Sequence, residues 1–123
     1  MEMNRRGAEG PVITGFSGRG FKVDGGVYEG LIISPERADG WAPPPLAELG
    51  EGDLAPLLAL NPKPEFLLLG TGAAMARPPL ALVKALGARG IGIETMDSRA
   101  AARAWGVLRA ELRWIGAALY PLD

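Results

Sequence analysis

Glu65-Phe66-Leu67-Leu68-Leu69-Gly70-Thr71-Gly72 and Gly90-Ile91-Gly92-Ile93-Glu94-Thr95-Met96-Asp97-Ser98 decide the fold. Each is a short apolar run ending in small or polar residues, the pattern of a strand covered on both faces. Between them Pro78-Pro79 opens a helix that reaches about Leu86, with Gly87 closing it. A strand, a helix and a second strand make a crossover unit, so segments 65–69 and 90–94 are expected to be parallel and buried.

Toward the C-terminus, Asp97 or Ser98 caps a helix to about Glu111, and Trp114 to Tyr120 reads as a last strand ended by Pro121. Toward the N-terminus the signal is β. Val12 to Phe16 is a strand, and segments 21–24 and 27–34 flank Gly25-Gly26, a two-residue hairpin signal. That register places Lys22 opposite Glu29. Leu31-Ile32-Ile33 is apolar on both faces. Residues 38–52, with Pro43-Pro44-Pro45, read as a loop around a short extended piece near Trp41, and Asp53 as the N-cap of a short helix through Leu60. Residues 1–11 lack an apolar period and read as a flexible tail, leaving 12–123 as a single α/β domain with a β-rich N-terminal third.

Composition bounds the function from outside. At 123 residues the chain has room for one ordinary domain. Cys and His are both absent, which excludes disulfides, thiolate or imidazole zinc sites, thiol nucleophiles and His-dependent triads. The net charge of −1 argues against whole-molecule attraction to nucleic acid or membrane. Trp41, Trp105 and Trp114 read as core or sheet-covering residues, because no basic–aromatic interleaving surrounds them. The longest apolar run, 66–76, is about half the length needed to span a bilayer. A cytoplasmic location without membrane insertion is expected. The Arg-over-Lys bias with abundant Ala, Gly and Pro fits a GC-rich bacterial genome.

Phe16-Ser17-Gly18-Arg19-Gly20-Phe21, Leu68-Leu69-Gly70-Thr71-Gly72, Gly90 to Ser98 and its continuation through Glu111-Leu112-Arg113 to Ala117-Ala118-Leu119-Tyr120-Pro121 stand in order. Together they resemble the Mth-type domain family of unknown function, over roughly residues 13–123. Its eukaryotic members include a mitochondrial complex I assembly factor and an adipogenesis-associated protein. The resemblance implies a three-layer α/β fold with a mixed central sheet, no established catalytic activity, and action through protein partners. Three positions depart from the family pattern: Gly106 where Asn is usual, Leu112 where Gly is common, and Ser98 in place of a frequent Thr.

Two places could carry chemistry. Gly70-Thr71-Gly72 follows a strand, but Met75-Ala76-Arg77 stands where a Walker loop needs Gly-Lys-Ser/Thr, and a dinucleotide fingerprint lacks its third glycine. A tight turn and a small anion or polar-ligand site both remain open. Asp97 and Ser98 sit at the carboxyl end of the next strand, where open α/β sheets bind ligands. Gly70, Thr71, Gly72, Asp97 and Ser98 are therefore the candidate ligand residues. Glu94, Asp97 and Glu111 have no spacing that demands a metal, and no metal or cofactor is expected.

The second place is the C-terminal helix. Ala101, Ala104, Trp105, Leu108 and Leu112 form an apolar face, and at about 100° per residue Arg99, Arg103, Arg109 and Arg113 fall within an arc of roughly 120° opposite it. Arg99, Arg103 and Arg109 are the candidate partner-binding residues, for an acidic protein surface. Gly106 within this helix suggests close approach of another segment. The leading expectation is a non-enzymatic, assembly-factor-like protein-binding module. The alternative is a small-molecule or anion-binding protein, enzymes included, with its site at Gly70–Gly72 and Met96–Ser98.

Overall fold

The computed structural model describes residues 10–123. The element order is β1 (Ile13–Ser17), β2 (Gly20–Val23), β3 (Gly26–Tyr28), β4 (Leu31–Ile33) and β5 (Ala38–Gly40), then two 3-10 turns (Leu46–Glu48 and Glu51–Leu54) running into α1 (Ala55–Leu58). β6 (Phe66–Gly70), α2 (Leu80–Ala88), β7 (Gly92–Met96), α3 (Ser98–Ala110) and β8 (Gly116–Leu119) follow. β1, β2 and β3 form a small antiparallel sheet, and the main sheet has the order β5-β4-β8-β6-β7. In the main sheet β6 is parallel to β7 and β8, whereas β4 is antiparallel to β5 and β8.

Strand alternation divides the core in two. Leu31, Ile33, Leu68, Ala117 and Leu119 meet Ala101, Ala102 and Trp105 of α3 and Phe21 and Val23 of the small sheet. Ile32, Leu67, Leu69 and Ala118 point the other way, onto Leu54, Leu57, Leu82 and Leu86. The result is three layers around a mixed sheet. Trp105, fully buried, donates its indole N–H to the Pro11 carbonyl at 3.3 Å. Of the expected tail 1–11, residues 1–9 lie outside the described residues, and Pro11 is buried. No helix among the described residues is long and apolar enough to cross a membrane.

The crossover reading holds for β6 and β7, which pair in parallel from Phe66–Gly92 to Gly70–Met96. β6 is buried, but β7 is the last strand of the sheet and leaves Gly92 and Glu94 exposed, so the expected burial of 90–94 is corrected. The expected strand 27–34 is two strands in two sheets. They part at Gly30, where Trp41 N–H reaches the Gly30 carbonyl at 2.9 Å and any Cβ would collide with the Trp41 carbonyl oxygen. The hairpin turn is Asp24-Gly25, both with positive φ (48° and 86°), as a type I′ turn requires. Val23 therefore pairs with Gly26 and Lys22 with Val27, and Glu29 instead meets Arg19 at 3.4 Å. α2 runs through Gly87, and the positive-φ glycine after its end is Gly90. Asp53 does not cap a helix through Leu60. Its carboxylate accepts the Gly50 N–H at 2.9 Å across a 3-10 turn.

The end of α3 gives a prediction. Arg113 N–H bonds the Leu108 carbonyl at 3.0 Å and Leu112 N–H the Arg109 carbonyl at 2.9 Å, the paired bonds of a Schellman motif. Leu112 occupies the left-handed position of that motif at φ 64°. A side chain with a Cβ is strained there by about 1–2 kcal/mol. Leu112 is 61% exposed, so its removal forfeits little packing. Leu112→Gly is expected to stabilise the chain by about 1 kcal/mol, read by urea unfolding. A destabilised variant would refute the strain.

Candidate functional site

The structure brings the five candidate ligand residues together, as a closed corner. β6 ends at Gly70 directly against the first turn of α3. A Cβ on Gly70 would lie 2.8 Å from Ser98 Oγ, 2.9 Å from Ser98 Cα and 3.2 Å from Ala101 Cβ. Ser98 is wholly buried. Its Oγ accepts the Gly72 N–H at 2.8 Å and its hydroxyl donates to the Tyr120 carbonyl at 2.7 Å. Ser98 N–H donates back to the Gly72 carbonyl at 2.9 Å, and Tyr120 N–H to the Gly70 carbonyl at 2.9 Å. The ends of β6, β7 and β8 and the start of α3 are thereby laced through one hydroxyl.

The donors of Thr71 and Gly72 are committed. Thr71 N–H bonds the Met96 carbonyl at 2.9 Å. The Thr71 hydroxyl donates to the Ala74 carbonyl at 2.7 Å and accepts the Ala76 N–H at 3.0 Å, which folds the following loop onto itself. Asp97 is the N-cap of α3 and accepts the Ala100 N–H at 2.9 Å. In place of an anion or polar-ligand site there are internal hydrogen bonds, because the amides of Thr71, Gly72 and Ala76 find partners in the chain itself. Among the described residues no three acidic side chains gather at a metal-binding distance.

The arginine face is divided. Arg99 and Arg103 are exposed. The Arg99 guanidinium lies over the Phe16 ring, 4.7 Å from its centroid, and Arg103 Nη1 donates to the Arg99 carbonyl at 3.3 Å. Neither has an acidic partner among the described residues. Arg109 is a correction: it is buried, with Nη1 donating to the Arg113 carbonyl at 2.6 Å, and burial pushes its pKa down. At about 100° per residue, Ser98, Ala102, Trp105 and Arg109 span an arc of about 60°, the line that α3 lays on the sheet. Arg113 lies past the helix end and pairs with Glu65 at 2.7 Å. That contact, with the Trp114 N–H, holds the Glu65 carboxyl below its ordinary pKa. Gly106 has nothing within 4 Å of where a Cβ would stand, so no segment among the described residues explains it.

Three further features were not read from the sequence. Tyr120 donates its hydroxyl to the Pro44 carbonyl at 2.7 Å and packs edge-on against Trp41, and burial pushes its pKa up to about 12. A shallow groove of about 200 Å³ runs between β1 and α3, lined by Ile13, Phe16, Ala102 and Arg103. A larger groove of about 480 Å³ lies beside α2, lined by Met75, Arg77, Pro78, Leu80, Val83 and Thr95. The available signal for the latter was α2 itself, whose nine residues carry one charge, Lys84.

The model of a protein family described as of unknown function (DUF498/DUF598) matches residues 13–120. An uncharacterized protein of Rhodobacter capsulatus is 39% identical over 111 residues, which are 89% of this chain and 84% of that protein. NADH dehydrogenase (ubiquinone) 1 alpha subcomplex assembly factor 3 of Danio rerio is 31% identical over 120 residues, 97% of this chain and 69% of that protein. A solved Bordetella pertussis structure described as a Mth938-like domain superposes with a TM-score of 0.78 at 25% identity, covering 92% of this chain and 87% of that one. The match over nearly all of the described fold, in sequence and in topology, makes this chain a member of the DUF498/DUF598 family of proteins of unknown function, with the Mth938-like α/β fold.

Proposed function

We propose that the chain is a non-enzymatic, assembly-factor-like module of the bacterial cytoplasm that presents Arg99 and Arg103 to an acidic surface of another protein. The observation that carries this reading is a pair of exposed guanidinium groups with no acidic partner among the described residues, one of them held over Phe16. A planar guanidinium pre-positioned on an aromatic ring loses less freedom on binding a carboxylate than a free one. The groove between β1 and α3 lies beside Arg103 and offers an apolar footing next to the charge. Kinship with proteins named as complex I assembly factors supports action on other proteins. The closed corner at Gly70–Gly72 and Ser98 speaks for structure there and against a ligand.

The test is affinity capture from native extract with identification by mass spectrometry, using the wild-type chain and Arg99→Glu/Arg103→Glu at matched salt. The double variant is expected to lose the acidic partner while its stability stays within about 0.5 kcal/mol per change, as surface substitutions do. Capture of the same partners by the folded double variant would refute the reading.

A further inference from the structure

The second exposed surface is the free edge of the main sheet. Among the described residues β7 hydrogen-bonds to β6 alone, on one side. The Met96 carbonyl turns inward to the Thr71 N–H, so alternation directs the N–H and C=O groups of Ile93 and Thr95 outward. Beside this edge lies the groove of about 480 Å³ whose wall includes Met75, 58% exposed, and Leu80, 66% exposed. α2 buries only Leu82 and Leu86 among its nine residues, so most of an apolar helix faces the groove or solvent. Arg77 sits in the groove without an acidic partner among the described residues.

We infer that the β7 edge takes an extended segment of a different protein as a sixth strand. Alternate side chains of that segment are apolar and enter the Met75–Leu80–Val83 groove, and a carboxylate at its end meets Arg77. Backbone pairing with Ile93 and Thr95 supplies the register, and the groove supplies the selection, as in other strand-addition sites. A second copy of this chain is a poor occupant. Antiparallel self-pairing over all five residues of β7 puts Glu94 directly opposite Glu94 of the copy, and like charges facing each other across strands are destabilising. The inference rests on the reading that the chain binds proteins, but on a different surface from the Arg99–Arg103 face.

A random nine-residue peptide library displayed on phage and selected against the whole chain tests it. Enriched sequences are expected to alternate apolar with other residues and to carry Asp or Glu at one end. A synthetic peptide of the enriched sequence is expected to slow hydrogen exchange of the Ile93 and Thr95 amides at least tenfold. N-methylation of its edge-facing amides should abolish binding, and methylation of the alternate amides should not. Leu80→Glu and Arg77→Glu, both at exposed positions, are expected to weaken binding at least tenfold, and a Lys-ended peptide should recover affinity for Arg77→Glu. No enrichment, enrichment at helical spacing, or undiminished binding to Leu80→Glu would overturn the inference. So would a wild-type dimer that Leu80→Glu dissociates. Loss of partner capture in Arg99→Glu/Arg103→Glu, with no peptide bound at β7, would leave the docking reading standing and remove this one alone.

Discussion

Gly70→Ala is expected to destabilise the chain by about 2–3 kcal/mol, toward the upper end of the range for overpacking a well-filled core. The added methyl would stand 2.9 Å from Ser98 Cα, a backbone atom, and 2.8 Å from Ser98 Oγ. Neither can yield cheaply. Moving Ser98 breaks its bonds to Gly72 and Tyr120, and moving α3 lifts Trp105, which is fully buried, from the sheet. For a domain of this size such a loss lowers Tm by on the order of 10 °C. Thermal and urea unfolding measure it. A variant within about 0.5 kcal/mol of wild type would show that the corner yields to a methyl and is not tightly closed.

Ser98→Ala is the second large effect, also expected at about 2–3 kcal/mol. The change removes one oxygen and leaves two backbone groups, the buried Gly72 N–H and the half-buried Tyr120 carbonyl, without their partner. The cost is mainly that of unsatisfied groups, because the space vacated by one hydroxyl is small. Ser98→Thr separates the two causes: it keeps the hydroxyl and adds a methyl beside Gly70. The corner acts as a unit, so Gly70→Ala and Ser98→Ala together should cost less than their sum, a non-additivity that a double-mutant cycle measures. Strict additivity would mean that the two residues act separately.

Local chemistry wrote several elements plainly. β6 and the α3 cap at Asp97 were legible because an apolar run closed by glycine and an Asp before a helical period are short-range signals. The parallel pairing of β6 and β7 followed from the helix between them. The family resemblance, carried by ordered motifs, already contained the three-layer fold. Other features depended on packing across the chain. Gly30 divides one apolar run between two sheets because Trp41, eleven residues on, crosses it. The helical period alone could not orient α3, since Ala104, Leu108 and Leu112 pull the apparent apolar face away from the line through Ser98, Ala102, Trp105 and Arg109 that the sheet covers. For the same reason Arg109 is buried while Arg99 and Arg103 remain outside. Ser98 reads in sequence as a capping hydroxyl or a ligand donor, and only the meeting of three strand ends with one helix start makes it a buried tie. Residue types and spacing determined which segments become strands and helices. Which face is covered, which strand is left at the edge and which polar groups are consumed were decided by tertiary contacts, because burial depends on what packs against a segment.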